Sequence, residues 1–223
     1  MSITQTIANF FQEGGPFMFP ISIVLALGVA IALERFIFLS MAKRTNKSAF
    51  AKIEPLLASN RFEQILQIGK SNPAPISRMI AAGIARLSIS PRREDIEYAM
   101  EEGLMESIPR LERRTGYLGT LANIATLLGL LGTIIGLIAA FSAVANADPA
   151  EKASLLSQSI SVAMNTTAFG LISAIPLLAF HSLLQTKTTE IIDSMEMAGV
   201  KCLNTLIASE NLKPKTRTSD MSE

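Results

Sequence analysis

Three long stretches of this chain are apolar, and polar segments separate them. The first runs from Gly14 to Leu33. The second, from Gly116 to Ala147, holds no charged residue, and the third, from Ala153 to Thr186, holds none unless His181 is protonated. About 20 apolar residues suffice to cross the hydrocarbon core of a bilayer. Each stretch therefore predicts a membrane-spanning helix, and the two longer ones are expected to tilt or to project beyond the bilayer.

Between the first two spans the pattern changes to one of amphipathic helices. In KIEPLLASNRFEQILQIGKSNPAP the apolar positions recur every three or four residues, and the Asn-Pro and Ala-Pro pairs punctuate the run. A longer helix is expected from Arg92, with Ile96, Met100, Leu104, Ile108 and Leu111 as its apolar stripe. Acids crowd its first half and Arg110, Arg113 and Arg114 its end, as the helix dipole favours. Pro109 is expected to kink it, and it is expected to run on into the second span. Ile3, Ile7, Phe10 and Phe11 give residues 1–15 an apolar helical face suited to the membrane surface. The tail after Asn211 is polar.

The expected organisation follows. Residues 1–15 form an outer interfacial helix, 16–41 the first span, 42–115 a cytoplasmic helical domain, and 116–147 the second span. Residues 148–156 form a short periplasmic loop, 157–186 the third span, and 187–223 a cytoplasmic helix extension with a disordered tail. The fold class is all-α: a polytopic membrane protein of three transmembrane helices with long helical extensions into the cytoplasm.

Charge orients this layout. Thirteen of the 20 Lys and Arg residues lie between Lys43 and Arg114 and five from Lys187 onward, whereas the loop between the second and third spans holds only Lys152. The positive-inside rule places these basic regions in the cytoplasm and the N-terminus outside. Residues 1–15 contain no Lys or Arg, so the first span lacks the basic flank of a signal peptide. The net charge of +1, with no basic stripe, argues against a nucleic-acid partner.

Chemistry is sparse. One cysteine, Cys202, and one histidine, His181, give neither an internal disulfide nor a zinc site. His181 stands beside Ser182, but neighbours on a helix point about 100° apart and nothing supplies an oxyanion hole, so no catalytic residue is assigned. Three spans without an inverted repeat do not suggest a solute transporter.

The spans carry two other signals. Ala122, Ala125, Gly129, Gly132, Gly136, Ala139 and Ala143 are spaced alternately by three and four, a seam of small residues that lets helix backbones approach closely. Ala163, Thr167, Gly170 and Ala174 form a second seam, and Pro176 is expected to bend the third span. Beside these seams lie polar residues: Asn123, Thr126 and Thr133 on the second span, Asn165, Thr166 and Thr167 on the third. No Asp, Glu, Lys or Arg lies deep in any span. Glu34 and Arg35 mark the inner end of the first.

GGPFMFPISIVLALGVAIALERFIFL, LLGLLGTIIGLIAAF and AMNTTAFGLISAIPLL resemble the three signature spans of the MotA/TolQ/ExbB proton-channel family. The resemblance covers most of residues 10–186, and the three-span layout is similar to its ExbB and TolQ branches. It implies a homopentameric ring in the bacterial inner membrane whose second and third spans line a lumen. The ring is implied to surround a dimeric, single-span ExbD- or TolR-like partner that carries a membrane Asp, with a TonB- or TolA-like force transducer beyond. The coupling ion would be the proton, with no cofactor. By motif, Thr133 and Thr167 match the lumen-facing threonines next to that Asp, with Thr166, Asn165 and Thr126 as neighbours; Gly129, Gly132, Gly136, Gly170 and Pro176 would serve packing. Many such chains carry Glu where this one has Val162. A non-conducting scaffold and a motility stator remain as other readings.

Overall fold

A computed structural model describes residues 10–11, 14–145 and 147–211, the side chains of 209–211 excepted. No β-strand occurs among them. Six helices follow in order: α1 (Met18–Ala58), α2 (Phe62–Ser71), α3 (Pro75–Leu87), α4 (Arg93–Glu112), α5 (Thr115–Ala145) and α6 (Lys152–Asn211). Among the described residues three helices are long and apolar enough to cross a membrane: α1, α5 and α6. The interfacial segment expected at residues 1–15 lies outside the described residues except for Phe10, Phe11, Gly14 and Gly15, and the polar tail after Asn211 lies outside them altogether.

The chain divides into two compact units. One, the membrane unit, comprises the residues up to Ile37 together with Arg113–Thr186. The other, the soluble unit, comprises Phe38–Glu112 and the residues from Lys187 onward. Helices α1 and α6 each contribute to both.

In the soluble unit, α1 continues as one helix to Ala58, so the KIEPLL segment forms its last turns. It stops in a cap that its sequence explains. Asn60 adopts φ +54°, a left-handed conformation that Asn tolerates, while the Arg61 amide donates to the Leu56 carbonyl and the Asn60 amide to that of Leu57. Asn72 ends α2: its side-chain oxygen accepts from the Ala74 amide at 2.9 Å, and Pro75 opens α3. Helix α3 buries Ile76, Met79, Ile80 and Ile84; α4 buries Ile96, Met100, Leu104 and Leu111, with Ser107 rather than Ile108 completing the stripe. Gly103 lets the two helices close up, since a Cβ there would stand 3.0 Å from the Met79 Cα. The last turns of α6 add Ile191, Met195, Ala198, Cys202 and Leu206, repeating every three or four residues.

One expectation is corrected. Helix α4 does not run on into the second span: Arg114 takes φ +64° and a two-residue turn separates α4 from α5. A left-handed residue cannot continue an α-helix. Pro109 lies within α4, which continues past it to Glu112. The chain therefore breaks four residues after that proline, at the paired arginines.

Candidate functional site

The membrane unit is built on the two small-residue seams, which face each other. A Cβ on Gly129 would stand 3.2 Å from the Gly170 Cα and 3.3 Å from the Thr167 Cα, and one on Gly170 would stand 2.8 Å from the Ala125 carbonyl oxygen. A Cβ on Gly136 would stand 2.8 Å from that of Ala163. Lipid tails are as apolar as leucine, so helices in a bilayer gain little by hiding side chains; they gain dispersion by bringing backbones together. Glycine and alanine permit that approach.

The buried line on α5 departs from the seam in one respect. It runs Leu118, Ala122, Ala125, Gly129, Gly132 and Ala140, while Ala139 and Ala143 are exposed. A seven-residue repeat drifts by about 20° per heptad on a straight helix, and over three heptads the contact moves on to the next residue.

Span one joins this pair through its entry turn. Gly15 adopts φ +71° and the Met18 amide donates to its carbonyl, turning the chain into α1. Here glycine is required, because side chains rarely tolerate that conformation. The turn rests on span three: the Thr166 hydroxyl donates to the Gly14 carbonyl at 2.6 Å, sharing the bond with the Val162 carbonyl at 3.0 Å. Thr166 is 2% exposed. It fastens the entry of α1 to α6. Phe10 and Phe11 pack edge-on against Phe169, with ring centroids 6.3 and 5.5 Å away.

The other polar residues stand differently. The Thr167 hydroxyl crosses the seam and donates to the Gly129 carbonyl at 2.8 Å. That of Thr133 donates to Leu130 at 2.6 Å, and that of Thr126 to Ala122 at 3.1 Å. Thr133, Thr167 and Asn165 are half-buried; Thr126 and Asn123 are exposed. Each of these three hydroxyls has therefore committed its single proton to a backbone carbonyl. What remains on each oxygen is its two lone pairs, able to accept from water or from a protonated carboxyl but not to donate to a carboxylate.

At the inner end of span one, Arg35 is buried at 3% exposure, and Glu34 lies 3.4 Å from Arg114, both about half exposed. An exposed pair of this kind contributes about 0–1 kcal/mol. The His181 ring packs over Gly119, while Ser182 is exposed. Pro176 is also exposed, inside the unbroken α6. Among the described residues no three His, Cys, Asp or Glu side chains gather as a metal site. Ser173 escaped the sequence reading: its hydroxyl is wholly buried in span three without a hydrogen bond. A serine among alanine and isoleucine gives no signal of burial by composition alone.

Comparison with known proteins bears on this arrangement. The MotA/TolQ/ExbB proton channel family matches residues 71–197, which include both helices of the seam. A biopolymer transport protein ExbB homolog of Methanothermobacter thermautotrophicus is 31% identical over 196 residues, 86% of this chain and 67% of that relative. The chain belongs to the MotA/TolQ/ExbB proton channel family. A second relative, the biopolymer transport protein ExbB-like 3 of Synechocystis, is 28% identical over 170 residues, 76% of this chain and 80% of the relative. With three helices of spanning length, this family member is a multi-pass inner-membrane protein. The family match begins beyond span one and takes in the glycine–threonine seam.

Proposed function

We propose that the chain is the ring subunit of a proton-driven motor, five copies enclosing a dimeric single-span partner that supplies a membrane carboxyl. The basic segments face the cytoplasm and the N-terminus the periplasm. The observation that carries this reading is the state of the two threonines. Thr133 and Thr167 flank the tightly packed seam, half-buried, with their protons already committed and their lone pairs left over. No Asp or Glu lies deep in a described span, Glu34 standing at the inner end of the first, so the titrating group comes from the partner.

The mechanism follows from these elements. Desolvation in a narrow lumen raises the partner carboxyl's pKa and keeps it protonated while it moves. The lone pairs of Thr133 and Thr167 accept from the protonated acid and from water, and so hold the neutral form. Releasing the proton inward moves one charge down the membrane potential, worth about 2.3 kcal/mol per 100 mV. That work turns ring against partner and is passed on to an envelope system of the TonB or Tol kind.

Native mass spectrometry of the detergent-extracted complex, co-expressed with the single-span protein encoded beside this chain, tests the assembly. Five copies around two of an Asp-bearing partner are expected. A ring that never captures such a partner would leave a membrane scaffold instead.

A further inference from the structure

The helix contacts of the membrane unit fix a depth scale. Phe17, Gly132 and Thr166 share one level, since a Cβ on Gly132 would stand 2.4 Å from the Thr166 Cγ2 and 3.4 Å from the Phe17 Cβ. Further in, Ala125 lies beside Gly170, Gly28 beside Leu177, and Gly119 beside His181. The exposed apolar band of span one within this unit includes Phe19, Ile23, Leu27, Leu33 and Ile37. Gly28 is its midpoint, about 14 Å from either end at 1.5 Å per residue. Thr133 therefore stands near the outer edge of the band.

Asn123 falls between Gly119 and Ala125, at about the level of Ala174 on α6 and hence within about 5 Å of the middle of the band. Its side chain is exposed and makes no hydrogen bond among the described residues. An amide facing hydrocarbon without a partner costs several kcal/mol, so this face of α5 does not meet lipid. At 100° per residue Thr133, Thr126 and Asn123 lie within an arc of about 80°, which one lumen wall can present. From Thr133 inward to Asn123 is ten residues, about 15 Å. Thr126 is the intermediate step. The buried, unbonded Ser173 hydroxyl, three residues beyond Gly170, lies close to the same level on α6.

We infer that Asn123 is the inner station of the proton path: its amide orders the water that carries the proton from the carboxyl at Thr133 and Thr167 toward the cytoplasm. An amide does not itself titrate, so Asn123 is a positioning residue. It holds water by accepting one hydrogen bond and donating another at a depth where the helix offers no other exposed polar group within that arc. This inference rests on the motor reading and adds to it a residue and a direction.

The test is proton uptake by liposomes carrying the complex of this chain with its single-span partner, driven by a potassium diffusion potential. Asn123→Leu removes the amide and fills its space. Uptake is expected to fall at least tenfold while the complex keeps its composition in native mass spectrometry. Asn123→Ser, which keeps a hydroxyl for water, should retain about half the wild-type uptake, and Asn123→Ala should lie between the two. Uptake by Asn123→Leu within twofold of wild type would overturn the inference and leave the motor reading standing. Loss of the complex itself in both Asn123→Leu and Asn123→Ala would assign the amide to an interface between copies and overturn it likewise. A wild-type complex that takes up no protons would instead remove the reading beneath it.

Discussion

Helices pack against helices in both units, but with different side chains. In the soluble unit the contact between α3 and α4 and the stripe on α6 are made by isoleucine, methionine and leucine: Ile80, Ile84, Ile96, Met195 and Leu206 are all at most 1% exposed. In the membrane unit the seam between α5 and α6 is made by Ala122, Ala125, Gly129, Gly132, Ala163 and Gly170, while Leu127, Ile138, Phe141 and Ile175 point outward, each more than 60% exposed. One chain thus builds with its large side chains inside in one unit and outside in the other. The difference follows from the solvent. Water drives large apolar groups together, at about 25 cal/mol per Å² buried, whereas lipid is indifferent to them and only close approach is rewarded.

Substitutions should separate the two regimes. The largest effect is expected for Gly170→Leu, because a side chain there meets the Ala125 carbonyl and the Gly129 Cα, both backbone atoms that a rotamer change cannot move. No monodisperse protein should survive size-exclusion chromatography in detergent; a normal profile would show that the seam can open. Next comes Ile80→Ala in the soluble unit, where the side chain is wholly buried. A cavity of that kind costs about 2–5 kcal/mol, read as a lowered unfolding temperature with the protein still folded at the start.

The threonines lie below that. Thr167→Val deletes a hydrogen bond between helices and should cost about 0.5–1.5 kcal/mol. Thr133→Val deletes one within its own turn and should leave thermal stability within about 0.5 kcal/mol of wild type. Equal destabilisation by the two would contradict the assignment of Thr167 to the seam. The smallest signal is expected at Cys202. Burial pushes its thiol up to about 12, so at pH 8 almost none is thiolate, the form that reacts. Maleimide should label it only after unfolding, and rapid labelling of the folded protein would show that the α6 stripe is open there.

Much of this was legible from the residues. The three spans followed from uncharged runs, and the seams from a three-four spacing that needs only helical geometry. The αL cap at Asn60 used a residue suited to it, yet α1 was not legible as one helix of 41 residues, because Pro55 and the change to an amphipathic pattern suggest an end that the cap postpones. The break at Arg114 was illegible for a plainer reason: arginine is not a left-handed residue by preference. Among the site residues, the threonines were visible as polar atoms in an apolar run, but composition and spacing alone could not tell Thr166 from Thr167; only the resemblance to the family motif set Thr167 apart. They are neighbours of the same type, about 100° apart, and only the packing shows that one fastens Gly14 and the other crosses to Gly129. Nor did spacing reveal that the hydroxyls keep lone pairs rather than protons for a partner, since that depends on which carbonyl each one reaches.

The central claim is that Thr133 and Thr167 hold a partner's proton, and it is tested most directly by proton uptake in liposomes carrying the complex with Thr133→Val and Thr167→Val together. Valine keeps the shape and removes the lone pairs. The account predicts an intact complex of unchanged composition whose proton uptake is at least about tenfold below wild type, as expected when a positioned proton-handling group is lost. Wild-type uptake from the double variant, in a complex of normal composition, would contradict it and return both threonines to helix packing.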